Sequence, residues 1–161
     1  MKHNKLQKIL GVGPRGAAIS LTLLALFAWV DLMMGHPAIL VNATPMKAVG
    51  ALLVILGLGL HFWAFSTLRN WWVVDRLCTT GPSKYFRHPM YAAWITFVSS
   101  RVAMYFNSWI YFTWVLLLHP IWHNLVKKEE ISMFDTFGDQ YRDFATRTGR
   151  FIPRMTNRRR V

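Results

Sequence analysis

Residues 81–91, Gly-Pro-Ser-Lys-Tyr-Phe-Arg-His-Pro-Met-Tyr, put a cation (Arg87), a titratable ring (His88) and a phenol (Tyr91) on one short stretch stiffened by Pro89. The stretch runs straight into a long apolar segment. Placing such groups at the edge of an apolar run is costly unless they bind something, so packing alone does not account for them. Two further clusters stand out later in the chain. Glu129 and Glu130 follow another apolar run, and Tyr141 and Arg150 lie on an aromatic and basic stretch beyond them.

The elements that must position these residues are apolar helices. Of the 161 residues, 53% are hydrophobic and 16% charged, against about 25% charged in soluble domains. The formal net charge is nevertheless +12. Apolar residues arrive in membrane-length blocks, so this charge points to a membrane surface and away from nucleic acid. The length suits a single domain over residues 1–161. A lone cysteine, Cys78, excludes an internal disulfide. The basic N-terminus and the run after it read as a first membrane helix, since no small-x-small cleavage site follows.

Four apolar segments are expected to span the bilayer, at about residues 17–34, 46–65, 90–106 and 109–126. The first two form an N-terminal helical pair within residues 1–66. Asn107-Ser108 allows a tight reversal, so the last two should form a hairpin. With both termini and the central loop cytoplasmic, only Lys47 and Arg101 of the 19 cations fall elsewhere, a strong positive-inside bias. Past Lys127, Ile131, Phe134, Phe137, Tyr141 and Phe144 recur every three or four residues. That period predicts one amphipathic cytoplasmic helix, broken near Thr148-Gly149, that lies on headgroups or covers the central loop. The expected fold is all-α.

In this topology the three polar clusters meet at the cytoplasmic edge, side by side because segments three and four are a hairpin. Cations, carboxylates and aromatic faces around one pocket suit a zwitterionic ligand that also carries a ring.

Gly81-Pro82 through Arg87-His88-Pro89-Met90-Tyr91 resembles the Gly-Pro-x-x-x-x-Arg-His-Pro-x-Tyr motif of the isoprenylcysteine carboxyl methyltransferases and related phospholipid methyltransferases. Glu129-Glu130-Ile131-Ser132, Phe137-Gly138, Tyr141 and Arg150-Phe151-Ile152-Pro153 resemble the C-terminal signature of the same family. The resemblance spans residues 75–153 and implies an integral-membrane enzyme whose cofactor is S-adenosylmethionine. It implies that this half holds the cofactor through Leu77, Cys78, His88, Pro89, Met90, Tyr91, Glu129 and Tyr141. Four positions depart from the pattern: Ser83 replaces a common aromatic, Ala93 a glycine and Phe144 a tyrosine. Leu125 stands where the protein-carboxyl branch has a substrate-contacting arginine, which leaves the acceptor open among an isoprenyl-type carboxylate, a phospholipid amine and another small lipophile.

Methyl transfer from a sulfonium needs position and a dry site more than acid–base machinery. Arg87 or His88 would pair the cofactor carboxylate, and Glu129 would accept hydrogen bonds from its amine or ribose. An amine or thiol acceptor must also lose a proton, for which Glu130 or His123 is the nearest base. The longer, NADPH-dependent sterol-reductase relatives and a non-catalytic membrane scaffold are the competing readings.

Other residues read as structural. His119 and His123 sit one helical turn apart and His61 falls at similar depth, yet no thiol or carboxylate completes a metal set, and polar packing or tunnel lining is expected. Asp31 and Arg101 fall in the outer half of the bilayer by rise per residue and are candidates for an ion pair. Gly11-Val12-Gly13-Pro14-Arg15-Gly16 has no preceding strand and reads as a flexible approach to the first helix, not a phosphate loop. Trp71-Trp72 fit interface anchors, and Arg158-Arg159-Arg160 a contact to anionic headgroups.

Overall fold

The computed structural model describes residues 11–69 and 76–154. Trp71-Trp72, the first lysines and Arg158-Arg159-Arg160 lie outside the described residues. Pro14 opens α1 (Gly13–Met33), where a missing N–H costs nothing. Pro45 does the same for α2 (Thr44–Arg69). Both are long and apolar enough to cross a membrane. Their large side chains, including Leu21, Leu26, Trp29, Leu52, Ile55, Phe62 and Trp63, point outward. Helices apolar all round and uncovered by protein are what lipid solvates.

A short 3-10 turn (Gly81–Lys84) precedes the third helical rod. The rod consists of α3 (Pro89–Ala92), a π-helical stretch (Ala93–Val98) and α4 (Ser99–Phe106). The π stretch begins at a close approach of α2. A side-chain carbon at Gly57 would stand 3.2 Å from the Ala93 carbonyl oxygen and 2.8 Å from Phe97 Cβ. Gly50, Gly57 and Ala64 are the buried residues of α2 and form one seam at seven-residue spacing. Small residues let two helices in lipid approach closely.

The expected hairpin is present. Asn107 reverses the chain in the left-handed region at φ 52°, and Ser108 then caps α5 (Trp109–Phe137) by accepting the Ile110 N–H. Asn107 also exchanges hydrogen bonds with the backbone of Leu40, at 3.1 and 2.7 Å. Both loops at this end of the bundle are thereby tied together. α5 carries Pro120 within it and packs against α1 and α4. Ser20 on α1 accepts from Trp114 Nε1 through its carbonyl and from Trp122 Nε1 through its hydroxyl. These are the interhelical hydrogen bonds expected where no water competes.

Two expectations are corrected. The amphipathic segment is not one helix. α5 runs on to Phe137, Gly138 breaks it at φ 52° and ψ −125°, and α6 (Asp139–Arg147) starts anew. Ile131 and Phe134 therefore ride on the end of α5, whereas Tyr141 is buried from α6. Asp31, in turn, does not pair with Arg101. Its carboxylate, 2% exposed, takes His36 Nδ1 at 2.6 Å and the Ser108 hydroxyl. Arg101 lies over the Tyr105 ring and against Gly50. Equal depth did not put the two side chains on facing sides of their helices.

Candidate functional site

Pro89 disfavours a helical conformation at the residue before it, so His88 sits at φ −125° and ψ 68° at the head of α3. Its ring projects to the side where α5 presents Glu129 and Glu130. His88 Nε2 lies 3.4 Å from Glu130 Oε1, and Nδ1 lies 3.6 Å from Glu129 Oε2. Tyr91, one turn along, stacks on His88 with ring centroids 5.7 Å apart and donates to Glu129 Oε1 at 3.1 Å. Trp122, two turns earlier on α5, packs against the Tyr91 ring with centroids 4.9 Å apart.

Glu130 is the electrostatic hub. Arg150 Nε donates to its two oxygens at 3.0 and 2.9 Å, and a second guanidinium nitrogen donates to Oε2. Arg87 Nε approaches Oε1 to 3.0 Å, while Nη1 donates to the Ala145 carbonyl of α6 at 2.9 Å. Burial by itself would raise the Glu130 carboxyl. The close approach of His88, the hydrogen bonds from Arg150 and the charges of Arg87 and Arg150 outweigh it and hold the group at about 2. The Tyr141 hydroxyl moves the opposite way, to about 12, through burial and then the nearby Glu130 charge. It remains protonated and available as a donor.

The chain beyond α6 completes the wall. Gly149 and Arg150 accept backbone hydrogen bonds from Arg87 and His88 at 2.7 and 3.2 Å, and Gly149 N–H returns one to Tyr85 at 3.3 Å. This short parallel pairing sets Arg150 on Glu130. It also buries Phe151, 1% exposed, among three imidazoles: His123 at 5.0 Å, His88 at 6.0 Å and His119 at 6.5 Å. The His119 carbonyl accepts from His123 Nδ1 at 3.0 Å, so the lone pair of neutral His123 lies on Nε2. His61 is engaged elsewhere, accepting from Trp94 Nε1 at 3.2 Å.

The structure thus brings Arg87, His88, Tyr91, Glu129, Glu130, Tyr141 and Arg150 together. Pro89 is buried and Met90 half-buried at the start of the same helix, where they shape the site through backbone direction. Leu77 and Cys78 are half-buried in the loop ahead of the 3-10 turn, with no hydrogen bond to the cluster among the described residues. Three contributors were not anticipated: Trp122, Phe151 and the Gly11–Gly13 turn. That turn is no flexible approach, because the Val12 N–H donates to Glu129 Oε1. Its glycine spacing was the available signal.

A phospholipid methyltransferase family model matches residues 45–140. The chain belongs to that family, and hence to a group of membrane methyltransferases. A comparison with curated proteins found no match.

Proposed function

We propose that this protein is a four-span integral-membrane methyltransferase that uses S-adenosylmethionine on a lipophilic acceptor. The third and fourth spans are the α3–α4 rod and the first part of α5, and both ends of the chain lie on the cytoplasmic side. The observation that carries this reading is the meeting of Arg87, His88, Tyr91 and the Glu129–Glu130 pair at one end of the helices, in a chain of this family.

The donor set suits the cofactor. Arg87 Nε and His88 Nε2 are buried without hydrogen-bond partners among the described residues. Both are suited to a ligand carboxylate. Glu129 Oε2 is open to an ammonium or ribose hydroxyl, and Tyr91 offers a ring face. When bound, the cofactor would supply a methyl group already activated on its sulfonium for attack by an acceptor lone pair, and Arg87, His88, Tyr91 and Glu129 would hold it. The chain supplies alignment and exclusion of water through Trp122 and Phe151.

An amine acceptor must release a proton. Glu130 is a poor acceptor for it, because the Arg87 and Arg150 guanidiniums and the contact with His88 hold its carboxyl near 2. His123, whose Nε2 has no hydrogen bond among the described residues, is the better base. A carboxylate acceptor requires none. A shallow hollow of about 300 Å³ beside the ion cluster is lined by Lys127, Glu130, Ile131, Phe134 and Arg150. Its mix of cations and apolar side chains supports an amphiphilic acceptor and contact with anionic lipids.

Purified protein in detergent, titrated calorimetrically with S-adenosylmethionine and separately with NADPH, tests the reading. Binding of the first, weakened at least tenfold by His88→Ala or Glu129→Ala, is expected. Binding of NADPH alone would overturn it in favour of a reductase. Cofactor binding with no methyl transfer to any extracted lipid would favour a scaffold.

A further inference from the structure

The two glutamates are held by segments on opposite sides of the matched family region. Arg150, beyond residue 140, grips Glu130, and the turn ahead of α1, before residue 45, grips Glu129. Only the first of these belongs to the motif blocks. The second is the less expected, because a membrane helix that otherwise reads as an anchor reaches into the polar site.

The fit of this turn is close. Gly11 takes φ 51°, and an added Cβ would stand 2.0 Å from Glu129 Oε1 and 2.9 Å from the Tyr91 hydroxyl. Gly13 passes the Tyr91 ring, its Cβ position 3.5 Å from Cε1. Gly16 receives the Trp122 ring, with a Cβ position only 2.4 Å from Cη2. Three glycines within six residues therefore let one backbone lie flat over Tyr91, Trp122 and Glu129. The Val12 N–H and the Tyr91 hydroxyl both bind the same oxygen, Oε1. Oε2 is left facing His88.

We infer that the Gly11–Gly13 turn is a positioning element of the donor site: by holding Oε1 together with Tyr91, it aims Glu129 Oε2 at the ligand. A carboxylate oxygen so held loses little rotational freedom when its partner oxygen takes up a ligand N–H or O–H, which is how outer contacts raise affinity. The first helix is then part of the binding machinery and not only of the membrane anchor. This rests on the donor-site reading above.

Two variants attack the contact differently. Gly11→Ala introduces the clash, and Val12→Pro deletes the N–H at a φ of −84°, close to the range proline holds. Each should raise the S-adenosylmethionine Kd about tenfold in calorimetry. Gly59→Ala, in open space on α2, should leave it unchanged. In a Glu129→Ala background, Gly11→Ala should cause no further loss, since the turn acts through that carboxylate. Equal weakening with and without Glu129 would mean a general structural defect and overturn the role. Wild-type affinity in both single variants would overturn it while leaving the donor site standing. Absence of binding by the wild type would remove the donor-site reading and this role with it.

Discussion

Arg150 meets Glu130 edge-on across 20 residues of chain, its Nε shared between both carboxylate oxygens at 3.0 and 2.9 Å. Guanidinium geometry makes this possible and ammonium geometry does not. Arg150→Lys keeps the charge and should still lose about 1.5–3 kcal/mol, the range for hydrogen bonds to charged groups. Arg150→Ala should lose at least as much. Thermal unfolding in detergent checks both, and a lysine variant as stable as wild type would show that charge alone is needed.

The same carboxylate sets an acid limit. Glu130 titrates near 2 in the folded protein, against 4.5 ordinarily. A folded value below the unfolded one contributes stability that is complete above about pH 4.5 and is lost as pH falls toward 2. The thermal midpoint should therefore drop through that window. Glu130→Gln should start lower and follow a flatter curve there. Parallel curves for the two proteins would assign the acid limb to other groups.

Asp31 predicts a coupling and its absence. The Ser108 hydroxyl and His36 ring hold its buried carboxylate. Asp31→Asn should cost about 1–3 kcal/mol and be non-additive with Ser108→Ala, which removes a shared partner. With Arg101→Gln it should be additive. A coupling between Asp31 and Arg101 in unfolding midpoints would contradict the observed partners.

Helix α2 offers two glycines with opposite expected outcomes. Gly57→Ala forces a methyl against the Ala93 carbonyl and Phe97, and should destabilise by about 1–3 kcal/mol as overpacking does. At Gly59 nothing lies within 4 Å, and alanine there should be neutral or slightly stabilising through helix propensity. Denaturation of the two variants side by side decides it.

Much of this site was legible in the chain because its residues are grouped by short-range rules. Pro89 fixes the head of α3, and the Asn107-Ser108 reversal brings residues 87–91 beside the end of α5. These follow from local chemistry, and the structure has them. What was not legible depends on rotation about helix axes and on backbone groups that carry no letter. Asp31 and Arg101 share a depth but not a direction. The Val12 N–H that reaches Glu129 is common to almost every residue type. Gly138 interrupts an apolar period that continues through it, so the period alone suggested one helix where there are two.

The parallel pairing of residues 85–88 with 149–150 has a consequence for biogenesis. A ribosome makes the chain N-terminus first, so residues 85–88 exist before residue 149 does. Until residues 150 and 151 follow, Glu130 lacks Arg150, and His88 lacks both the Arg150 carbonyl and the Phe151 ring. The nascent protein is then a bundle without a finished pocket. Assembly of the polar centre waits for residues 149–151.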